Sequence, residues 1–235
     1  MVTLNETYRP ERLAEINATL EGKTPEEILR WGFETFGDRI TLACSFGGPS
    51  GMVLLDMAVK IEPAVRVFYI DTEVLFPETY ELSQVAAERY GIKPMAFKPL
   101  LTIAQQGEQF GDGLWATDPD ACCAMRKVEP NKRALAGMEA WISGLRRDQS
   151  DTRAETPIVG WDNKFDVVKL SPLVDWTEKD VWKYIVDNDV PYNPLHDRGY
   201  PSLGCTHCTR AVQPGEDLRA GRWQGFDKTE CGLHG

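Results

Sequence analysis

The chain has 235 residues, 42% of them hydrophobic, and its 36 acidic against 26 basic side chains give a formal net charge of -10. That length can bury one sizeable core, so a single domain with a tail is expected, and the acidic balance argues against a general nucleic-acid or membrane surface. No apolar run of about 18 or more residues could span a bilayer and residues 1–20 hold no apolar core of signal-peptide length, which leads to the expectation of a cytoplasmic protein with reduced cysteines.

From residue 40 the signals alternate between strand and helix. Residues 40–45 read as a buried strand, 51–61 as a helix, 65–71 as a strand, 77–90 as a helix and 94–98 as a strand. A loop rich in Gly and Gln follows. Residues 126–137 look helical, 139–143 form a short strand and 167–170 another. The helix at 177–188 is well marked: Thr177 caps it, Asp180 has capping-box spacing, and Val181, Tyr184 and Ile185 share one stripe. The fold expected is α/β, a doubly wound, mostly parallel sheet. From about residue 191, Pro, Gly and charged residues predict an irregular, mobile C-terminal tail. The expected division is residues 1–199, carrying the nucleotide site, and residues 200–235, carrying a cysteine loop and the tail.

Ligands of such sheets bind beyond the carboxyl ends of the strands. Ser45, Gly47 and Gly48 follow the first strand and open a helix whose N-terminus can hold an anionic oxygen. Asp71, Thr72 and Glu73 follow the second. Gly144, Arg146 and Arg147, with Arg153 further on, follow the 139–143 strand, and guanidiniums suit phosphate or sulfate. Together they outline an adenine-nucleotide pocket.

The six cysteines comprise a tandem pair, Cys122 and Cys123, the Cys205-Thr-His-Cys208 turn, Cys231 near the end, and Cys44 in the first strand. Two close pairs suit a structural zinc ion, an iron-sulfur cluster or a redox dithiol, and spacing does not choose among them. Cys44 reads as a small buried hydrophobe. The histidines His196 and His207 read as loop residues, and His234 as a side chain that could orient the tail.

Cys122-Cys123 followed by Arg126-Lys127, the SGLRRDQSDTR stretch, LFPETY, Cys205-Thr-His-Cys208 before GEDLRAGRW, and the terminal ECGLH resemble the assimilatory sulfonucleotide reductases. The branch most similar is the cluster-bearing adenylyl-sulfate (APS) reductases. The resemblance implies an adenine nucleotide alpha hydrolase-like fold and a four-iron four-sulfur (4Fe-4S) cluster on Cys122, Cys123, Cys205 and Cys208. It further implies reduction of adenylyl sulfate to sulfite and AMP in sulfate assimilation, with thioredoxin or a similar dithiol as partner. A homo-oligomer is also expected. The family often has Asp-Thr-Gly where this chain has Asp71-Thr72-Glu73, which puts backbone approach at Glu73 in question.

Cleaving a sulfur–oxygen bond by attack at sulfur needs a soft nucleophile, and Cys231 is the candidate. Its attack would release AMP and leave an S-sulfocysteine for an external dithiol to reduce. Lys127, Arg219 and Arg222 are the cations expected to activate the thiol and neutralise substrate oxygens. Two alternatives stand beside this reading: a cluster-bearing reductase of 3'-phosphoadenylyl sulfate (PAPS), and a non-catalytic iron-sulfur nucleotide sensor.

Overall fold

A computed structural model describes residues 4–233. Proline opens the helices Pro10–Leu20, Pro25–Phe36, Pro49–Ile61 and Pro77–Tyr90, where its missing N–H removes no intrahelical bond. Thr24 and Thr177 each close a capping box, the second with Asp180 as its spacing predicts.

The strands are β1 (Ile40–Ala43), β2 (Val67–Ile70), β3 (Met95–Phe97), β4 (Ala140–Ile142), β5 (Val159–Asp162) and β6 (Val167–Leu170). They form one sheet in the order β3-β2-β1-β4-β6-β5. All neighbours are parallel except β5 and β6, so the fold is α/β and mostly parallel. Central β1 pairs with β2 on one side and β4 on the other. The chain first winds outward through β2 to β3, then returns to β4, which makes the β1/β4 boundary the topological switch point where a crevice opens.

Period-two alternation sends each strand's side chains to two cores. Val67, Ala140, Ile142, Val168 and Leu170 join the larger cluster beneath Pro25–Phe36, Pro49–Ile61 and Glu178–Asp187. Phe68, Trp141 and Val167 point the other way, into a smaller cluster with Ala134, Leu135 and Phe165.

Four elements lie outside the alternation read from the sequence. Two helices, Pro10–Leu20 and Pro25–Phe36, precede β1. The stretch expected to be a Gly/Gln-rich loop contains the helix Ile103–Phe110, and the Thr102–Gln105 capping box at its start carried that signal. Strand β5 is an antiparallel edge strand, turning into β6 through Asp166 at φ 57°. The residues 126–137 expected to be one helix divide into a π-helical turn, Ala124–Val128, and the helix Glu129–Ala134. Beyond residue 191 regular structure among the described residues is limited to short turns and the isolated bridges Leu75↔Cys205 and Thr209↔Arg222. This irregular segment is packed: Trp223 within it is 3% exposed.

Candidate active site at the carboxyl edge of the sheet

The switch point carries a cavity of about 320 Å³. Ala43, Cys44 and Ser45 enter it from β1, Ile70 and Thr72 from β2, and Ser143 and Gly144 from β4. Ser45 accepts the Gly47 N–H at 3.4 Å, Phe46 takes a left-handed φ of 53°, and Gly48 then precedes the helix Pro49–Ile61. The first-turn N–H groups of that helix therefore face the cavity. Gly144 is required by close approach: a Cβ there would lie 3.2 Å from Cβ of Ser50.

The sequence-predicted residues divide. Ser45, Gly48, Thr72, Lys127, Gly144 and Arg146 border the cavity, as do Arg153, Arg219, Arg222 and Cys231. Gly47 does not; its carbonyl pairs with His196 Nε2 at 2.9 Å. Arg147 also turns away, donating to the Thr156 carbonyl at 2.9 Å and contacting Asp175. Its neighbour Arg146 faces inward, buried, with Nε on Asp148 at 2.9 Å and an Nη on the Ser50 hydroxyl. Arg146 is extended, at φ -136° and ψ 149°, and Arg147 opens a 3-10 turn, so the chain changes direction between them and only Arg146 reaches the crevice.

Arg126 and Lys127, on the π-helical turn, also separate. The Arg126 guanidinium is buried against the carbonyls of Thr72 and Leu101, Gln106 and the Glu73 carboxylate, the last at 2.9 Å. Glu73 sits at φ 62°, so it adopts the conformation that glycine reaches without strain, with its carboxylate held by Arg126. Lys127 faces the crevice.

The tail brings Cys231 over this cavity. Arg153 pairs with Glu230 through two contacts, Arg219 donates to the Thr229 carbonyl at 2.5 Å, and Lys164 donates to the Gly232 carbonyl at 2.5 Å. Leu233 packs on the smaller apolar cluster. Lys228 contacts Asp120. His234 lies outside the described residues. Burial by itself would raise the Cys231 thiol, yet Lys127, the Leu233 N–H and Arg222 together hold it below its ordinary value. Burial likewise works against the Lys127 ammonium, but the Cys205, Cys231 and Cys123 sulfurs hold its pKa up. Cys44, fully buried, is pushed up to about 12 by desolvation and is not a nucleophile.

Trp223 was not singled out as a site residue by the sequence. Its ring lies within cation–π reach of Lys127 (5.9 Å), Arg219 (6.0 Å), Arg222 (4.4 Å) and Lys228 (5.5 Å). The negative π face offsets the mutual repulsion of these cations. Gly204 leaves the space through which the Arg222 guanidinium passes to the Leu203 carbonyl, 3.1 Å away.

A smaller cavity adjoins this one through Lys127 and is bordered by Cys122, Cys123, Cys205 and Cys208. The helix Pro119–Cys123, capped by Asp118, carries the tandem pair, and the π-helical turn after it redirects the chain toward Lys127. The bridge to Leu75 and the Thr206 N–H bond to the Val74 carbonyl at 2.8 Å hold the Cys205 turn. Trp115 and His207 stack over the cavity at 4.0 Å and 9°. All six cysteines are free. Burial first, and neighbouring thiols second, raise Cys122 and Cys208, the latter to about 11. Burial also raises Cys123, against the pull of Lys127. Raised thiols at Cys122, Cys123 and Cys208 fit a polycationic centre, which would deprotonate its cysteine ligands outright. Among the described residues no three His, Cys, Asp or Glu side chains converge to hold a single ion.

The chain matches the phosphoadenosine phosphosulfate reductase domain over residues 39–211. It is 50% identical over 209 residues to the adenosine 5'-phosphosulfate reductase of Lysinibacillus sphaericus, covering 88% of this chain and 89% of that protein. The Salinibacter ruber protein of the same name is 47% identical over 224 residues, 95% of this chain and 88% of its own length. Among solved structures, phosphoadenylyl-sulfate reductase from Candida auris superposes with a TM-score of 0.76 at 34% identity, covering 86% of this chain and 97% of that one. Candida glabrata FMN adenylyltransferase, at TM-score 0.57 and 16% identity over 78% of this chain and 60% of its own, shares the fold alone.

Proposed function

The chain belongs to the phosphoadenosine phosphosulfate reductase domain family, and from that premise we propose how it reduces adenylyl sulfate to sulfite and AMP in sulfate assimilation. The observation that carries the proposal is that Cys231, its thiol held low by Lys127, borders the same crevice as the β1 and β4 loops.

The nucleotide lies at the switch point, its phosphate near Ser45, Gly48, Gly144 and Arg146, with its sulfonate toward Lys127, Arg219 and Arg222. The Cys231 thiolate attacks sulfur. A sulfur–sulfur bond forms, the bond from sulfur to the bridging oxygen breaks, and its electron pair leaves on AMP. The cations reduce the repulsion between thiolate and sulfonate and stabilise the charge moving onto the leaving phosphate. The resulting S-sulfocysteine is attacked by a reduced dithiol, for which thioredoxin is proposed. A mixed disulfide forms as sulfite departs, and the second thiol of the partner closes a disulfide, restoring Cys231. The dithiol supplies both electrons.

Cys122, Cys123, Cys205 and Cys208 are proposed to hold a four-iron four-sulfur cluster. When bound, it would supply a structural staple between the helix Pro119–Cys123 and the Cys205 loop and a fixed charge centre beside Lys127. Residues 1–199 then carry the nucleotide and two cluster ligands, and residues 200–235 the other two and the nucleophile. A cytoplasmic location and a homo-oligomeric state are part of the proposal; among the described residues no helix is long and apolar enough to cross a membrane.

The test is sulfite release by anaerobically purified protein with adenylyl sulfate and with 3'-phosphoadenylyl sulfate. A kcat/KM favouring the first supports the reading. Preference for the second would reassign the substrate, and turnover of neither would leave a nucleotide-binding sensor. Cys231→Ser should keep iron and nucleotide binding yet release no AMP.

A further inference from the structure

We propose that Asn131 is a specificity-determining donor to the terminal sulfonate of the bound nucleotide, a role that rests on the proposed reduction of adenylyl sulfate. Asn131 lies on the helix Glu129–Ala134, one turn beyond Lys127, and borders the main crevice. It is 1% exposed, and its side-chain Nδ2 has no hydrogen-bond partner. A buried amide donor without an acceptor carries its full desolvation cost. An apolar side chain at the same place would avoid that cost. A polar group is kept there at the expense of stability, which marks a site whose partner arrives with the ligand.

The chemistry of the missing partner follows from the other orphaned atoms. Arg222 Nε and Trp223 Nε1 are also buried without partners and also border this crevice. All three are N–H groups. A ligand that satisfies them must present acceptors only, as sulfonate oxygens do. Lys127 stands one turn before Asn131 and 5.9 Å from the Trp223 ring. The sulfonate that Lys127 attracts as a point charge is thereby given a direction by the fixed amide and indole donors. AMP, which lacks the sulfonate, has nothing for Asn131 to grip, so this residue distinguishes substrate from product.

The experiment compares adenylyl sulfate and AMP binding by calorimetry to the anaerobically purified holoprotein carrying Cys231→Ser, which stops turnover. Adding Asn131→Leu should weaken adenylyl sulfate about tenfold or more, the loss expected for a hydrogen bond to a charged acceptor, and leave AMP unchanged. Asn131→Asp, the same shape with a charged acceptor in place of the donor, should weaken adenylyl sulfate further still. Unchanged adenylyl sulfate binding in Asn131→Leu would overturn the proposal, as would a parallel loss of AMP or an Asp variant that binds as well as Asn. If wild-type protein releases no sulfite from adenylyl sulfate, the functional reading fails on that assay alone, while the two-ligand comparison still decides the role of Asn131.

Discussion

Arg153 holds Glu230 with both sides of its guanidinium, Nε to one carboxylate oxygen at 2.8 Å and Nη to the other at 2.7 Å. Both side chains are largely buried, at 11% and 17% exposure, so the pair is a fixed, charge-assisted contact rather than a solvated one. Because Glu230 precedes Cys231, this pair sets where the thiol sits. It also occupies a guanidinium expected from the sequence to meet substrate, so tail docking and anion binding draw on the same cation.

Glu230→Gln should therefore weaken docking of the tail. Losing one charge of a bidentate pair, worth about 1.5–3 kcal/mol, should slow first-turnover AMP release at least about tenfold. Reduction of preformed S-sulfocysteine by dithiol should stay at the wild-type rate. Rapid-quench measurement of both half-reactions checks this, and equal slowing of the two would show that Glu230 does more than position the tail.

Alkylation should discriminate sharply between Cys231 and Cys44. Burial pushes Cys44 up to about 12, so at pH 8 it stays protonated and unlabelled. For Cys231, burial opposes ionisation but Lys127 outweighs it together with the Leu233 N–H and Arg222, and the thiol titrates below its ordinary value. Iodoacetamide labelling of Cys231 should thus reach its plateau at lower pH than a free cysteine does. Lys127→Met should move that profile to higher pH. Mass spectrometry of the tail peptide reads both, and a pH profile unmoved by Lys127→Met would refute the activation argument.

Replacing any of Cys122, Cys123, Cys205 or Cys208 by Ser should lower bound iron from about four per chain and abolish the visible absorption of anaerobic preparations. Cys231→Ser should leave both intact. Full iron in all four ligand variants, or stoichiometric zinc in the wild type, would mean the ligand assignment is wrong.

Arg126→Ala should destabilise the fold by about 3 kcal/mol or more, because it strands the Glu73 carboxylate, Gln106 and two carbonyls. The effect should appear in denaturant midpoint and in iron retention, since Arg126 also borders the cysteine cavity. Nucleotide affinity should change less than in Lys127→Met, because Lys127 and not Arg126 faces the nucleotide crevice.

The sequence by itself determined the alternation of β1 to β4 with their helices, the capped helix at Thr177, and the cysteine set from which Cys231 is proposed as nucleophile. Each of these is written in local chemistry: period-two and helical apolar patterns, a capping box, thiol spacing and a terminal motif. It did not distinguish Arg146 from Arg147, or Lys127 from Arg126, since adjacent residues of one type differ only in the direction their backbone points them. Nor did it reveal the antiparallel edge strand β5, whose pairing with β6 depends on a turn through Asp166 at positive φ. Trp223 amid four cations, Glu230 on Arg153 and the orphaned Asn131 amide were decided by tertiary structure alone. Lys127 and Arg153 are far in the chain from Trp223 and Glu230, and burial, which gives an ion pair or an unpaired donor its energetic weight, exists only once the sheet and tail have closed around them.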